Sequence, residues 1–362
     1  MTPQIKIHNK NHSVGIWLLL CCFMIFIMIM IGGITRLTES GLSITEWKPI
    51  MGMIPPLNQL DWEKLFNLYQ QTPEYIKINQ GMTLDEFKSI FWWEYIHRFW
   101  GRLIGLVFFI PFILFAIQRR FSPSQFITLF FIFLLGGLQG FIGWYMVKSG
   151  LSIRTDVSQY RLTLHLLCAL LLFGLIFRQA LSFLSLSPTQ PTYPINQPHQ
   201  PTKLLTYSYV LIFLIALTIL MGGFTAGLNG GLVYNSFPYM GPKFVPEEFW
   251  YYHPMWRAPF ESPASAQFFH RWIALFFFIN VMIFKIISLK YDLSISSLKL
   301  INSLVFLTLF QVMLGILTVL YVVPISVALI HQANALLTFT ILLWLNFDLK
   351  RLSLLNIRNT NC

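Results

Sequence analysis

The sequence predicts an all-α integral membrane protein whose eight transmembrane helices form two pseudo-symmetric four-helix bundles. Three observations predict this fold class: a low content of charged residues, eight long apolar runs and an internal repeat. Of the 362 residues, 56% are hydrophobic and only 11% are charged, whereas a soluble domain carries about 25% charged residues. A large water-soluble globule is therefore excluded. The net charge of +11 is better explained by Lys and Arg beside membrane spans than by binding of nucleic acid.

Eight apolar runs have the length of a membrane-spanning helix, which is about 20 residues. Because lipid cannot satisfy free backbone groups, each run is expected to be helical. Only Val323 and Pro324 separate the last two runs, which predicts a tight helical hairpin. The runs cover residues 14–34, 97–117, 125–147, 162–182, 204–224, 270–289, 300–322 and 325–347.

The distribution of Lys and Arg predicts how the chain is oriented in the membrane. With the N-terminus inside, the inner segments carry 12 basic and 2 acidic residues, and the outer segments carry 13 basic and 12 acidic residues. Both termini are therefore expected in the cytoplasm. The tail before the first span is too short for an Arg-rich mitochondrial presequence, which favours a bacterial inner membrane.

Two long polar segments and one linker organise the chain. The first polar segment, residues 36–93, and the second polar segment, residues 225–267, are rich in aromatic residues and proline and are expected to be folded caps. Residues 183–203 contain five prolines among Ser, Thr, Gln and Asn, which predicts an extended linker. The linker separates a first half, residues 1–182, from a second half, residues 204–362.

The two halves share five short patterns in the same order. An even number of spans in each half makes this a parallel repeat, related by an axis along the membrane normal. The expected arrangement is two four-helix bundles side by side. The matched patterns are Gly32-Gly33-Ile34-Thr35 with Gly222-Gly223-Phe224-Thr225, Gly41-Leu42 with Gly231-Leu232, His97-Arg98 with His270-Arg271, Gln139 and Gly143 with Gln311 and Gly315, and His165 with His331.

Four histidines are predicted near the outer ends of spans, two in each half: His97, His165, His270 and His331. Ionisable residues within a membrane are costly and usually functional. Two imidazoles on facing helices can supply both axial ligands of a haem, whereas a zinc ion would need further ligands. Haem is therefore the favoured ligand, and histidines that merely bond to neighbouring groups at helix ends are the alternative.

The halves differ beside the first histidine of each pair, where Glu94 of the first half corresponds to Gln267 of the second. Glu94 and His97 share a helix face, so the carboxylate could act on the edge of a bound haem as an acid, a base or a cation stabiliser. The alternative is that Glu94 favours the positive end of its helix. The difference predicts that the first half reacts while the second half binds.

Five further charged residues are predicted at the outer ends of spans. Arg98, Arg102 and Arg271 fit two interpretations: contacts with haem propionates, or extension of the side chain to lipid headgroups. Arg36 and Glu39 have no charged counterpart in the second half and are therefore assigned to the reactive half.

Taken together, the motifs resemble the haem A synthase family over nearly the whole chain. The resemblance is carried by the run from Gly32 to Ser43, by Glu94-Tyr95-Ile96-His97-Arg98, and by His270-Arg271 with His331. It implies that a ring methyl group of haem O is oxidised to a formyl group by two hydroxylations and loss of water, giving haem A for cytochrome oxidase.

The resemblance also implies roles for individual residues. His97 and His165 would hold the substrate haem, Glu94 would be the essential acid, and His270 and His331 would ligate a haem b cofactor. A haem O synthase is suggested as a partner, together with an electron donor that the sequence does not identify. The first polar segment lacks the cysteine pair of some members, so the chain looks like the alphaproteobacterial and mitochondrial branch.

Two other classes of protein remain open at this stage. A di-haem electron carrier, such as a quinone or ferric reductase, would also use histidine pairs but would place its haems across the membrane. A repeat-built transporter fits the topology but leaves the histidine pairs unexplained.

Overall fold

The computed structural model describes residues 5–46, 54–151, 155–184 and 202–360. Within these residues the chain is almost entirely helical, with short 3₁₀ turns in the second polar segment. The α-helices are α1 Ile5–Leu37, α2 Gln59–Tyr69, α3 Pro73–Lys77, α4 Leu84–Ile117, α5 Pro123–Gly150, α6 Gln159–Leu184, α7 Thr202–Gly227, α8 Ala258–Glu261, α9 Pro263–Ser288, α10 Ile295–Leu320 and α11 Ile325–Thr360.

Eight of the described helices are long and apolar enough to cross a membrane: α1, α4, α5, α6, α7, α9, α10 and α11. Each one corresponds to one predicted apolar run, so the all-α membrane fold with eight spans is confirmed. The hairpin between α10 and α11 is as tight as expected, and it turns through Val322 and Val323, whose φ angles are +59° and +56°. The protein is therefore a multi-pass membrane protein.

The two helices that carry His97 and His270 begin well before their apolar runs. Helix α4 starts at Leu84 rather than near residue 97, because Thr83 and Glu86 form a capping box at its N-terminus. Helix α9 starts at Pro263 after the N-cap Ser262. The early turns are polar and aromatic rather than purely apolar, which explains why hydropathy alone does not detect them.

The chain divides into two compact units, one comprising Leu20–Phe173 and the other Met1–Leu19 with Gly174–Cys362. The division falls within α1 and α6, whereas the sequence places domain boundaries at 182 and 204. Most of the predicted linker, residues 185–201, lies outside the described residues. The linker and the boundaries at 182 and 204 therefore stay predictions.

Four helices in each unit contact one another in a ring. In the second half, α7 packs against α9 and α11, and α10 packs against the same two helices. In the first half, the Trp100 indole on α4 donates to the Met24 carbonyl on α1 at 2.9 Å, and Phe108 on α4 stacks on Phe133 on α5. The amide of Gln139 links α5 to α6. The thiol of Cys22 on α1 lies 3.9 Å from the Phe173 carbonyl on α6.

Both polar segments are folded, as expected from their aromatic content. In the first, α2, α3 and the start of α4 surround a buried aromatic cluster of Tyr69, Phe87 and Phe91. In the second, the 3₁₀ turns and α8 pack close to the ends of α7 and α9, with Phe224 and Phe260 in edge-to-face contact at 5.0 Å. The loops at the start of these segments bind Arg98 on α4 and Arg271 on α9.

Candidate haem-binding sites

Each of the four paired histidines packs against a glycine of a neighbouring helix. A glycine lacks Cβ, so the helix can approach the imidazole ring closely. This packing explains why glycines recur at matching positions of the repeat. The distance from an ideal Cβ to the nearest ring atom is 3.4 Å for Gly32 and His97, 2.9 Å for Gly143 and His165, 3.0 Å for Gly222 and His270, and 3.2 Å for Gly315 and His331.

The second-half pair, His270 and His331, has the separation that one shared metal ion requires. Their ring centroids are 6.3 Å apart and the ring planes cross at 78°. A metal–imidazole bond of about 2 Å puts a ring centroid about 3 Å from the metal, so two rings on opposite sides need about 6 Å. Among the described residues, no His, Cys, Asp or Glu joins them in a larger ligand cluster. A haem fits this donor set, because its iron takes only axial ligands from the protein.

Hydrogen bonds fix the orientation of both second-half histidines. Nδ1 of His270 lies 3.0 Å from the Thr218 carbonyl oxygen. Because a carbonyl only accepts, Nδ1 carries the proton and Nε2 keeps its lone pair, the arrangement usual for a ligating histidine. Across the pair, Nε2 of Gln311 donates to the His331 carbonyl oxygen at 3.1 Å. The same atom lies 3.3 Å from each nitrogen of the His331 ring.

The first-half pair has fewer such bonds. His97 on α4 and His165 on α6 each pack against a glycine of a neighbouring helix of the same unit. Nε2 of Gln139 donates to the His165 carbonyl oxygen at 3.0 Å, as Gln311 does in the second half, and it lies 3.5 Å from Nε2 of the His165 ring. However, Nδ1 of His165 is buried without a hydrogen-bond partner among the described residues.

Glu94 is buried, with 2% of its surface exposed, and three groups bind its carboxylate. Oε1 forms an ion pair with Nη2 of Arg98 at 2.6 Å. Oε2 accepts hydrogen bonds from the Ser43 hydroxyl and the Ile44 amide, both at 2.7 Å. The loop after α1 therefore wraps around Glu94, which accounts for the long motif that ends at Ser43.

The position of Glu94 within α4 decides between the two interpretations of this residue. The helix begins at Leu84, so Glu94 lies almost three turns inside it. The favourable effect of a helix N-terminus on an acid is confined to about the first turn. Capping of the helix dipole is therefore excluded as its role.

Arg98 and Arg271 hold corresponding loops in the two halves. The guanidinium of Arg98 donates to the carbonyl oxygens of Ile44 at 2.9 Å and Glu46 at 3.5 Å. Arg102 lies one helical turn further along α4 and is partly buried. In the second half, Arg271 donates to the carbonyl oxygens at the matching positions, Tyr234 at 2.8 Å and Ser236 at 2.7 Å.

Gln267 replaces the charge of Glu94 with a neutral amide and reverses the direction of its hydrogen bond. Its Nε2 donates to the Tyr234 carbonyl at 3.1 Å, whereas Glu94 accepts from an amide of the corresponding loop. The Oε1 of Gln267 is buried and has no hydrogen-bond partner among the described residues. Only the first half therefore carries a buried carboxylate at this position.

A second buried carboxyl, Glu74 on α3, gives no signal in the sequence. It is 4% exposed, and its Oε2 has no hydrogen-bond partner within the described part of the chain. Burial, reinforced by the negative charges of Glu94 and Glu39, raises the pKa of Glu74 to about 8. Because α3 is short and polar in sequence, its burial becomes visible only when the first polar segment is folded.

The fold and the two histidine pairs define a polytopic helical membrane protein with one pair of partly buried histidines in each half. Residues 15–343 match the sequence profile of the COX15-CtaA family, described as cytochrome oxidase assembly proteins. The chain belongs to this family.

Individual relatives are similar over almost their whole length. A haem A synthase from Nitrosospira multiformis is 46% identical over 338 residues, which cover 93% of this chain and 94% of that protein. One from Nitrosomonas eutropha is 45% identical with the same coverage. One from Parvibaculum lavamentivorans is 42% identical over 339 residues, or 94% and 95% of the two chains. The predicted family resemblance, with alphaproteobacterial relatives, is thus confirmed.

Proposed function

We propose that this protein is a haem A synthase, which oxidises a ring methyl group of haem O to a formyl group and so supplies haem A to cytochrome oxidase. One observation carries the proposal: the buried carboxylate of Glu94 lies one helical turn from a paired histidine in the first half only. Relatives that are 42–46% identical over nearly the whole chain bear the name haem A synthase, which supports the same activity here.

In the first half, we assign His97 and His165 as ligands of the substrate haem O and Glu94 as the catalytic acid. Arg98 and the loop after α1 hold the carboxylate in one orientation, so its charge is already in place before the reaction. A fixed carboxylate can stabilise positive charge that develops at the oxidised carbon, or accept a released proton. Two hydroxylations of one carbon give a gem-diol, and loss of water then leaves the formyl group.

In the second half, we assign His270 and His331 as the residues that would hold a haem b cofactor. A haem bound there would supply one-electron transfer chemistry. The ring separation of 6.3 Å supports this assignment, as does the Thr218 carbonyl, which leaves Nε2 of His270 free to ligate. The neutral amide of Gln267 suits a site that holds its group without reacting with it.

Arg98, Arg102 and Arg271 are proposed to contact haem propionates. For Arg271 the support is specific, because its two Nη atoms bind loop carbonyls while its buried Nε has no hydrogen-bond partner among the described residues. One N–H group is therefore left to donate to a carboxylate, which is the partner that a guanidinium favours.

We further propose that the protein lies in a bacterial inner membrane with both termini in the cytoplasm, and that its two halves act as separate haem domains. The excess of Lys and Arg in the predicted inner segments supports this orientation. An electron donor is an expected partner where O2 is the oxidant, because each hydroxylation then takes two electrons and two protons from outside the substrate and releases water. A haem O synthase is expected because the apolar substrate must be delivered.

The experiment that tests this function replaces Glu94→Gln and follows haem chemistry in a host that makes haem O but no haem A. Extracted haems are separated and identified by mass. The variant is expected to make at least about 100-fold less haem A and to accumulate haem O, while it keeps haem B in the second half.

Glu63→Gln provides the matched control, because Glu63 lies in the first polar segment with an exposed side chain. This control is expected to make haem A at the wild-type level. Normal haem A production by Glu94→Gln would refute the role assigned to Glu94. A di-haem electron carrier, by contrast, would release no haem product in either variant.

A further inference from the structure

A second difference between the halves lies beside the second histidine of each pair. Cys168 follows His165 by three residues, and Asn334 follows His331 by three residues. Residues three apart share one face of a helix. Each of these residues is therefore on the same helix face as its histidine, and in the second half Asn334 contacts Gln311 of the preceding helix.

In the second half, Asn334 completes a closed set of hydrogen bonds. Its Nδ2 donates to Oε1 of Gln311 at 2.7 Å and to the Leu307 carbonyl oxygen at 2.9 Å. Gln311 in turn donates to the His331 carbonyl oxygen. Because backbone carbonyls only accept, the orientation of both amides is determined by chemistry. The oxygen of the Gln311 amide is thus held by Asn334, and its nitrogen is held by the His331 carbonyl.

In the first half, the corresponding set is incomplete. Nε2 of Gln139 donates to the His165 carbonyl oxygen at 3.0 Å, which fixes its orientation in the same way. Its Oε1 is buried but has no hydrogen-bond partner among the described residues, and the same holds for Nδ1 of His165. Cys168 occupies the place of Asn334, and a thiol is only a weak donor. One end of the Gln139 amide is therefore not fixed.

We propose that Asn334 is a positioning residue that makes the second half retain its haem firmly, and that the first half retains its haem less firmly because Cys168 stands at the matching position without supplying a donor to Gln139. Asn334 holds Gln311 against His331 and so makes the second half a site of slow release. Cys168 leaves Gln139 and His165 less constrained, so that substrate and product can exchange in the first half. Residues that orient a ligating histidine typically change metal affinity by about 10–100-fold. The inference rests on the proposed assignment of substrate to the first half and cofactor to the second.

The test measures haem release from purified full-length protein that carries haem B and haem O, with excess apomyoglobin as the acceptor. Mass analysis follows each haem separately, so haem B reports the second half and haem O the first. Asn334→Asp keeps the shape of the side chain but removes its donors, and is expected to speed haem B release at least about 10-fold. Cys168→Asn adds the missing donor and is expected to slow haem O release by a similar factor.

Controls separate these effects from changes in folding. Cys168→Ala removes the thiol without adding a donor, so it should release haem O at the wild-type rate. Asn334→Cys copies the first half and should accelerate haem B release as Asn334→Asp does, with thermal unfolding used to confirm that the variants fold. Release of haem B from both Asn334 variants at the wild-type rate would overturn the proposal, as would equal haem O release from Cys168→Asn and Cys168→Ala.

Failure of this inference and failure of the proposed function give different results. If haem A is produced but the release rates do not change, the positioning role is wrong and the function stands. If the release rates change as expected but no haem A is formed, the positioning role stands and the function is wrong.

Discussion

The two halves place a pair of histidines by the same contacts. They differ at two positions that lie three residues from a paired histidine. In both, glycines let the rings pack closely, an arginine binds the loop after the first helix, and a glutamine binds the backbone of the second histidine. The first half has Glu94 and Cys168 where the second has Gln267 and Asn334. A common scaffold thus carries two sites that differ in charge and hydrogen bonding, and we propose that one holds a haem for reaction and the other retains a haem.

The largest expected difference between the halves comes from substitution of the glycine that packs most closely against a paired histidine. An ideal Cβ at Gly143 would lie 2.9 Å from the His165 ring, so Gly143→Ala must displace the histidine. We expect at least about 10-fold less bound haem O, because a shift of the ligand disturbs metal binding, and no change in haem B. The measurement is the extracted haem content of the purified variant.

Gly140→Ala on the same helix is the matched control, because no atom lies within 4 Å of its ideal Cβ. It should keep the wild-type haem content. Equal haem O occupancy in Gly143→Ala and Gly140→Ala would show that the close approach at His165 has no role in the substrate site.

A smaller effect is expected when Arg98 or Arg271, which bind the loops after α1 and α7, is substituted. Arg98→Lys keeps the charge beside Glu94 but loses the forked geometry that reaches two carbonyls. We expect haem A formation to fall about 10-fold with haem B unchanged, because the loop that binds Glu94 is released. Arg271→Lys should instead lower haem B content and leave the first half loaded with haem O. Identical haem profiles in the two variants would contradict separate roles for the halves.

The smallest expected effect concerns a feature of the first half alone, the buried carboxyl of Glu74. Burial, followed by the charges of Glu94 and Glu39, raises the pKa of Glu74 from 4.5 to about 8. Asp156 also raises this pKa, and Tyr69 lowers it. Between these pH values the folded state binds a proton that the unfolded chain has lost. Stability should therefore fall as pH rises from about 5 to about 8.

Glu74→Gln cannot ionise and should remove this fall in stability. In detergent, the Tm of the wild type is expected to drop by a few degrees relative to the variant across this pH range. The exposed Glu63→Gln should follow the wild-type profile. Parallel profiles for wild type and Glu74→Gln would show that Glu74 does not carry the proton.

Much of the fold could be predicted because the signals are local. Apolar runs identify eight spans without knowledge of their packing, and the repeat identifies the four histidines and Gly143 before any helix is placed. The start of α4 could not be predicted in this way, because a capping box and an aromatic cluster extend the helix beyond its apolar run. As a result, the sequence leaves the helix N-terminus as an alternative for Glu94, and the structure excludes it.

The parts of the sites that could not be predicted depend on contacts between distant residues. The hydrogen bonds from Ser43 and Ile44 to Glu94 join residues that are 51 and 50 positions apart in the sequence. The difference between Cys168 and Asn334 is visible in the sequence, but its meaning appears only when the Gln139 oxygen is found without a donor in the part of the chain that the structure describes. Such long-range hydrogen bonding leaves no periodic pattern that a sequence could reveal.

The central claim is that the first half transforms its haem while the second half retains one. The most direct test is the mass-resolved haem content of purified His97→Ala and His270→Ala, compared with that of the wild type. We expect His97→Ala to retain haem B and contain neither haem O nor haem A, and His270→Ala to lose haem B while it still binds haem O. Loss of the same haem from both variants, or haem A formation by His97→Ala at the wild-type level, would contradict the claim.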